Sequence, residues 1–230
     1  MNTVSRRQLL MTFGPSLAIL GTTAAACLFF DVSIPVMTRD AAALAQIPPL
    51  WGIVSNLGIL LWCAAASIGF FTAAALRSNG PSDAFRFLLF SSLLTAYLLF
   101  DDFFQFHENL AVHYIGLNER VVVAASGIAT AAYLIAFRRF ILQRTRFVIL
   151  LLALGFFAAS VAIDVVLEPW LIMGIGQWEY FLEDGAKLLG IACWCSYLAG
   201  TSHQLLAGAR LLPERTLGQE AFSADGDPSR

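Results

Sequence analysis

Six long apolar stretches alternate with short polar ones along the chain, near residues 13–37, 50–76, 84–104, 121–137, 147–167 and 180–199. A bilayer core of about 30 Å is crossed by roughly 20 apolar residues in a helix, so each stretch predicts one transmembrane span. A soluble bundle would keep a polar face on each of its helices, yet "FVILLLALGFFAASVAI" (147–163) has no charged face. The expected fold is all-α: a polytopic membrane bundle of six transmembrane helices over residues 1–208. A polar tail, 209–230, follows and is expected to be disordered.

The polar connections are short, as in a compact bundle. "RSNGPSD" (77–83) reads as a turn with Asn79-Gly80-Pro81 as its breaker. "RRFILQRTR" (138–146) reads as a basic loop, and "EPWLIMGIGQW" (168–178) as a loop at the opposite face. In the fourth span, Ala125, Ala129 and Ala132 recur at helical spacing, a stripe that suits close helix contact in lipid.

Composition agrees with this pattern: 58% of the residues are apolar and 13% charged, where a soluble domain carries about a quarter charged. The placement of charge adds an orientation. With the N-terminus inside, Arg6, Arg7, Arg77, Arg86, Arg138, Arg139, Arg144, Arg146, Arg210, Arg215 and Arg230 all fall on the inner side. Arg39 and Arg120 fall outside. The positive-inside rule therefore predicts both termini in the cytoplasm. Trp51, Trp170 and Trp178 sit at the outer ends of spans, where an aromatic belt belongs. The expected location is a cell membrane, a bacterial inner membrane in particular.

The N-terminal "SRRQLLMTFG", followed by an apolar run and "AAAC" (24–27), resembles a twin-arginine export signal ending at a lipoprotein cleavage site. Signal cores run about 7–15 apolar residues, whereas this one continues through "CLFFDVSIPVM". Ala24 also stands where a lipoprotein site takes a larger aliphatic. Arg6 and Arg7 are read instead as holding the start of the first span inside. Cys27, Cys63, Cys193 and Cys195 all lie within spans and show no zinc or disulfide spacing. They are read as packing residues.

The acids change the picture most. Asp31, Asp101, Asp102, Glu108, Asp164, Glu168, Glu179, Glu183 and Asp184 all fall at the outer ends of spans, although acids have no strong side preference. On a regular helix Asp101, Gln105 and Glu108 share a stripe about 60° wide, with His107 roughly 120° away from it. Asp164 and Glu168 share a face, and Glu179, Glu183 and Lys187 run down one stripe with Asp184 beside it. Lys187 is the chain's single lysine. It lies about ten residues, or roughly 15 Å, into the sixth span, where a charge calls for a partner and a purpose. Glu183, Asp101 and Asp164 are its expected partners.

The expected function is an integral membrane protein whose outward-facing site of Asp101, Gln105, Glu108, Asp164, Glu168, Glu179, Glu183, Asp184 and Lys187 handles protons or cations, as in a small transporter. The alternative is a divalent-metal-dependent intramembrane hydrolase acting on lipid. Asp101, Asp102, His107, Glu108 and Glu183 would be its ligands, joined by Asp164 and Asp184 as further oxygen donors. "DDFFQFHE" is similar to the Asp/His motifs of the membrane hydrolase superfamily that includes alkaline ceramidases, but the histidine pair those carry on a late helix is absent. "DDFFQ" is also similar to the aspartate-rich motif of membrane prenyltransferases, with a glutamine in place of the last aspartate. "EDGAKLLG" (183–190) resembles the last helix of microbial rhodopsins, which have seven spans. A third reading is a non-catalytic membrane assembly partner whose polar cluster is structural, a reading that suits His113 and His203 as surface residues. No catalytic residue is assigned. A divalent metal is the one cofactor the acids suggest. The expected partners are membrane lipids, with self-association possible and no nucleic acid. The basic loop 138–146 could attract anionic headgroups, though such loops more often serve as topology signals.

Overall fold

The computed structural model of the protein describes residues 5–77 and 82–224, except for the side chains at 8, 168 and 210–224. No strand occurs among the described residues. Five helices are long and apolar enough to cross a membrane: Leu9–Phe30, Ile53–Arg77, Asp83–Phe104, Glu119–Arg144 and Phe147–Leu167. This is the composition of a membrane protein. The chain divides into two units, Met1–Gly52 and Ile53–Arg230.

The first unit is a long helix and two short ones. Helix α1 (Arg6–Phe30) contains Pro15, which cannot donate to the carbonyl four residues back. The helix stops where Asp31 takes a left-handed backbone, φ 53°, so the expected span 13–37 is broken. The remainder of that stretch forms α2 (Ile34–Thr38), and α3 (Ala41–Ala45) follows. Asp40 caps α3 by accepting the N–H groups of Ala42 at 2.8 Å and Ala43 at 3.2 Å.

The second unit is built on α4 (Ile53–Arg77), α5 (Asp83–Phe104), α6 (Glu119–Arg144), α7 (Phe147–Ala162), α8 (Glu168–Ile175) and α9 (Trp178–Ala224). Helix α4 packs against α5 on one side and α9 on the other, α9 packs against α7, and α6 lies on α5. The buried face of α4 is Gly58, Trp62, Ala65, Ala66, Gly69, Thr72, Ala73 and Leu76, at helical spacing and mostly small. Small residues let helix backbones approach where lipid supplies no hydrophobic drive. A methyl group at Gly69 would overlap the Ser92 hydroxyl of α5, and one at Gly190 would come 2.7 Å from the Phe157 ring. Large apolar side chains face outward instead, among them Leu60, Phe71, Ile128, Ile135, Leu151 and Leu152. In water this would be an inverted surface; in lipid it is the expected one.

Four hydroxyls buried in this core are satisfied within their own helices. Thr72, Ser91, Ser92 and Thr95 donate to the carbonyls of Ile68, Phe87, Leu88 and Ser91. Two then also accept from a neighbouring helix. Trp194 Nε1 donates to Thr95 Oγ1 at 2.9 Å, and the Tyr133 hydroxyl bonds Ser91 Oγ.

Several expected boundaries shift. The basic stretch 138–146 is not a loop. Helix α6 continues to Arg144, and only Thr145 and Arg146 separate it from α7. Most of 168–178 is α8. The backbone of α9 stays helical through Ala224, where a disordered tail was expected from 209. Residues 225–230 and the turn at Asn79-Gly80-Pro81 lie outside the described residues. Cys193 and Cys195 pack on the core as expected, while Cys63 is exposed on α4.

Candidate functional site

The site begins where α5 ends. Gln105 adopts the left-handed conformation, φ 49° and ψ 47°, and its N–H closes the helix on the Asp101 carbonyl. A π-helical segment, Phe106–Ile115, then starts in a new direction, with the Leu110 N–H reaching back to the Gln105 carbonyl at 3.2 Å. This segment ends at Gly116, φ 76°. The break at Gln105 overturns the regular-helix phasing of Asp101, Gln105 and Glu108. It also brings in His107, which that phasing had placed off the stripe.

His107 turns back onto Asp101. Its backbone N–H donates to Asp101 Oδ1 at 3.0 Å, and its Nδ1 lies 2.8 Å from Asp101 Oδ2. A carboxylate only accepts, so Nδ1 carries a proton. Asp101 thus caps the first turn of the π-helical segment from the preceding helix and orients the imidazole at the same time. On the ring's other side, Nε2 lies 3.5 Å from Glu108 Oε1. The hydrogen bond to Asp101 is the main cause that raises the His107 pKa above its ordinary 6.5. Partial burial opposes it, the charges of Asp101 and Glu108 add to it, and Lys187 subtracts. The cluster therefore favours an imidazolium between two carboxylates.

Asp102, one residue on, faces elsewhere. Its Oδ1 lies 2.7 Å from Lys187 Nζ of α9, and its Oδ2 accepts the indole N–H of Trp62 of α4 at 2.8 Å. The expected partner of Lys187 was Glu183, Asp101 or Asp164, and the ion pair goes to Asp102 instead. Asp101 is engaged by the His107 turn, which leaves the adjacent carboxylate aimed between α4 and α9. Trp62 stacks on Phe157 of α7, ring centres 5.7 Å apart, and meets Trp194 edge-on at 6.2 Å. One carboxylate thereby ties together three helices that carry most of the packing.

A third group of acids gathers nearby. Glu183, half-buried, has Asp164, Asp184 and Glu179 as its acidic neighbours and Lys187 as its basic one. Asp164 lies in a second π-helical turn, Ile163–Leu167, that follows α7. That turn shifts its phase relative to Glu168, whose side chain lies outside the described residues. Glu179 is fully buried at the start of α9, and Asp184 is exposed. Gln105 serves the turn itself, with its Oε1 accepting from Asn109 Nδ2 at 3.1 Å.

Sequence reasoning did not foresee Trp62. The signal was present, because an indole N–H well inside a span has no water to bond and must find an acceptor. Trp62 found Asp102 and Trp194 found Thr95. Among the described residues, no three His, Cys, Asp or Glu side chains converge on a point that could hold a metal ion. Asp101, Asp102, His107, Glu108 and Glu183 are divided between the imidazole, the lysine and a separate acidic group, so they do not assemble as ligands.

No curated protein and no solved structure matches the chain. A family model described as a domain of unknown function (DUF8692) matches residues 16–201, a range that includes Trp62, Asp101, Asp102, His107 and Lys187. The chain belongs to this family.

Proposed function

We propose that the protein is an integral membrane protein of six spans, with α9 as the sixth and both termini in the cytoplasm of a bacterial cell. Its outward-facing cluster at the end of α5 takes up and releases protons, in the manner of a small transporter. Helix α9 falls short in hydropathy because Glu183, Asp184 and Lys187 sit in its first turns. Its packing between α4 and α7 supports a place in the bundle. The orientation rests on the arginines, eleven of which fall on the inner side under this topology.

The observation that carries the reading is the Asp101–His107–Glu108 arrangement. Histidine is the side chain that titrates nearest neutral pH, and here a carboxylate on each side of the ring holds its proton. Lys187 already occupies the adjacent carboxylate, which favours protons over metal cations as the species handled. Inward of the site, Thr95 and Ser91 have committed their protons to backbone carbonyls. Protons arriving at His107 would cross only after these groups reorient, as in a transporter and unlike an open pore.

Proteoliposomes carrying the full chain and an internal pH dye test this directly. An imposed pH gradient should collapse faster with wild-type protein than with empty vesicles, and Asp101→Asn and His107→Gln should remove most of the difference. Wild-type rates equal to those of empty vesicles, or variants as fast as wild type, would exclude proton handling at this site. The second outcome would favour the assembly-partner reading, which the mutually satisfied Asp102, Lys187 and Trp62 already fit.

A further inference from the structure

Helix α9 borders a second concavity, about 20 Å along its axis from Lys187, that plays no part in the proton reading. A cavity of about 200 Å³ opens between α9 and the start of α7, and besides Tyr197, whose hydroxyl donates to Thr145, its polar lining is Arg146, Ser196, Thr201, His203 and Gln204. None of the lining residues is acidic, and each of these five can donate a hydrogen bond. This is the reverse of the carboxylate-rich end, where Lys187 and His107 each face an acid.

Such a donor set selects for an anion. Arg146 presents a planar fork of N–H groups, the geometry that matches phosphate oxygens in pairs. It is also the N-cap residue of α7, whose first turn no side chain caps, so the positive end of a 16-residue helix borders the cavity. Arg138, Arg139 and Arg144 on the closing turns of α6 add long-range attraction without lining the cavity. From the cavity onward, α7 turns Val148, Leu151 and Leu152 outward, each more than half exposed, a surface on which acyl chains would lie.

We propose that this cavity binds a phosphate group, with the chemistry shared by an anionic phospholipid headgroup and by free inorganic phosphate. Gly200 provides a means of closing it, because a side chain added there meets nothing within 4 Å of its first carbon. Gly200→Leu therefore adds bulk to the lining from a first carbon that meets no clash, without changing any charge.

The test uses the full chain purified in detergent and two probes. Native mass spectrometry follows retention of phosphatidylglycerol against phosphatidylcholine, and calorimetry follows inorganic phosphate. Arg146→Gln and Gly200→Leu should each weaken binding about tenfold, the scale of one charge-assisted hydrogen bond, while Arg138→Gln leaves it near wild type. Retained phosphatidylglycerol with this variant pattern assigns the site to lipid. Phosphate binding with the same pattern, and no lipid preference, assigns it to a soluble ligand. Binding of neither probe overturns the proposal. So does an equal loss in Arg138→Gln with Gly200→Leu silent, since diffuse surface charge would then explain everything.

Discussion

Asp101 and Asp102 are the same residue, adjacent on the same turn of the same helix, and they do different work. About 100° of helical rotation sends Asp101 to a histidine six residues ahead and Asp102 to a tryptophan and a lysine on two other helices. The first partner is an imidazole whose pKa is raised above its ordinary 6.5 by that contact; the second is an ammonium, and the indole never titrates. The Asp102 group is therefore a fixed clamp across α4, α5 and α9, while the Asp101 group is local and reversible. A pair of acids in a membrane span need not be one site.

Removing the clamp's cation should have the largest effect. Lys187→Met leaves the Asp102 carboxylate, 12% exposed, with the Trp62 N–H as its one remaining donor among the contacts described. Breaking a buried pair in this way costs about 3 kcal/mol, near the low end because a third of the lysine side chain is open. Thermal unfolding in detergent should show the loss, and Asp102→Leu in the same chain should recover much of it. A double variant as unstable as Lys187→Met alone would mean that the carboxylate is not what the lysine neutralises.

The Asp101 group should respond to pH in a way the clamp does not. The folded-state pKa of His107 lies above its unfolded value near 6.5, so the protonated folded form is the favoured one. Its contribution to stability is fully present below pH 6.5 and is lost as pH rises through the elevated folded value. Asp101→Asn keeps an oxygen for the His107 N–H but removes the charge. It should cost about 1–2 kcal/mol at low pH, less at high pH, and bring the His107 titration, followed by NMR, back toward 6.5. A titration unmoved by Asp101→Asn would separate the two residues, whatever their distance.

The hydropathy pattern was sufficient for the membrane class and for a helix in each of the six apolar stretches, five of them long and apolar enough to cross a membrane. It failed where backbone geometry, rather than apolarity, decides. Gln105 gives no sign of a left-handed turn, since glutamine favours that region no more than most residues, and the side-chain phasing across 101–108 depended on its absence. Asp31 breaks the first stretch for the same reason. The site's membership was legible as far as burial cost could be read. Lys187 had to be paired, and it is. Which acid it would choose depended on the turn that occupies Asp101, and on an indole from a span forty residues upstream. No local spacing encodes either.

Trp62→Phe sharpens the comparison from the other side. The ring that stacks on Phe157 remains, and the N–H given to Asp102 is lost. About 1 kcal/mol of stability should go with it, and the loss should not vary between about pH 5 and 9, because the ordinary lysine value lies above that window and an indole has no titration in it. A pH-dependent loss would show that the two aspartates are coupled through the end of α5.

The smallest expected effect belongs to Glu108, and it is the most specific. Its carboxylate is half-exposed, 48%, and 3.5 Å from His107 Nε2, so solvent screens it and its removal should cost under about 0.5 kcal/mol. It nevertheless reaches the one ring nitrogen that Asp101 does not. Glu108→Gln should lower the His107 pKa by less than Asp101→Asn does, because Asp101 contributes both a hydrogen bond and a charge while Glu108 contributes a charge alone. An equal shift from the two variants would place the imidazole symmetrically between its carboxylates and make Glu108, at the open edge of the cluster, the group through which its proton leaves.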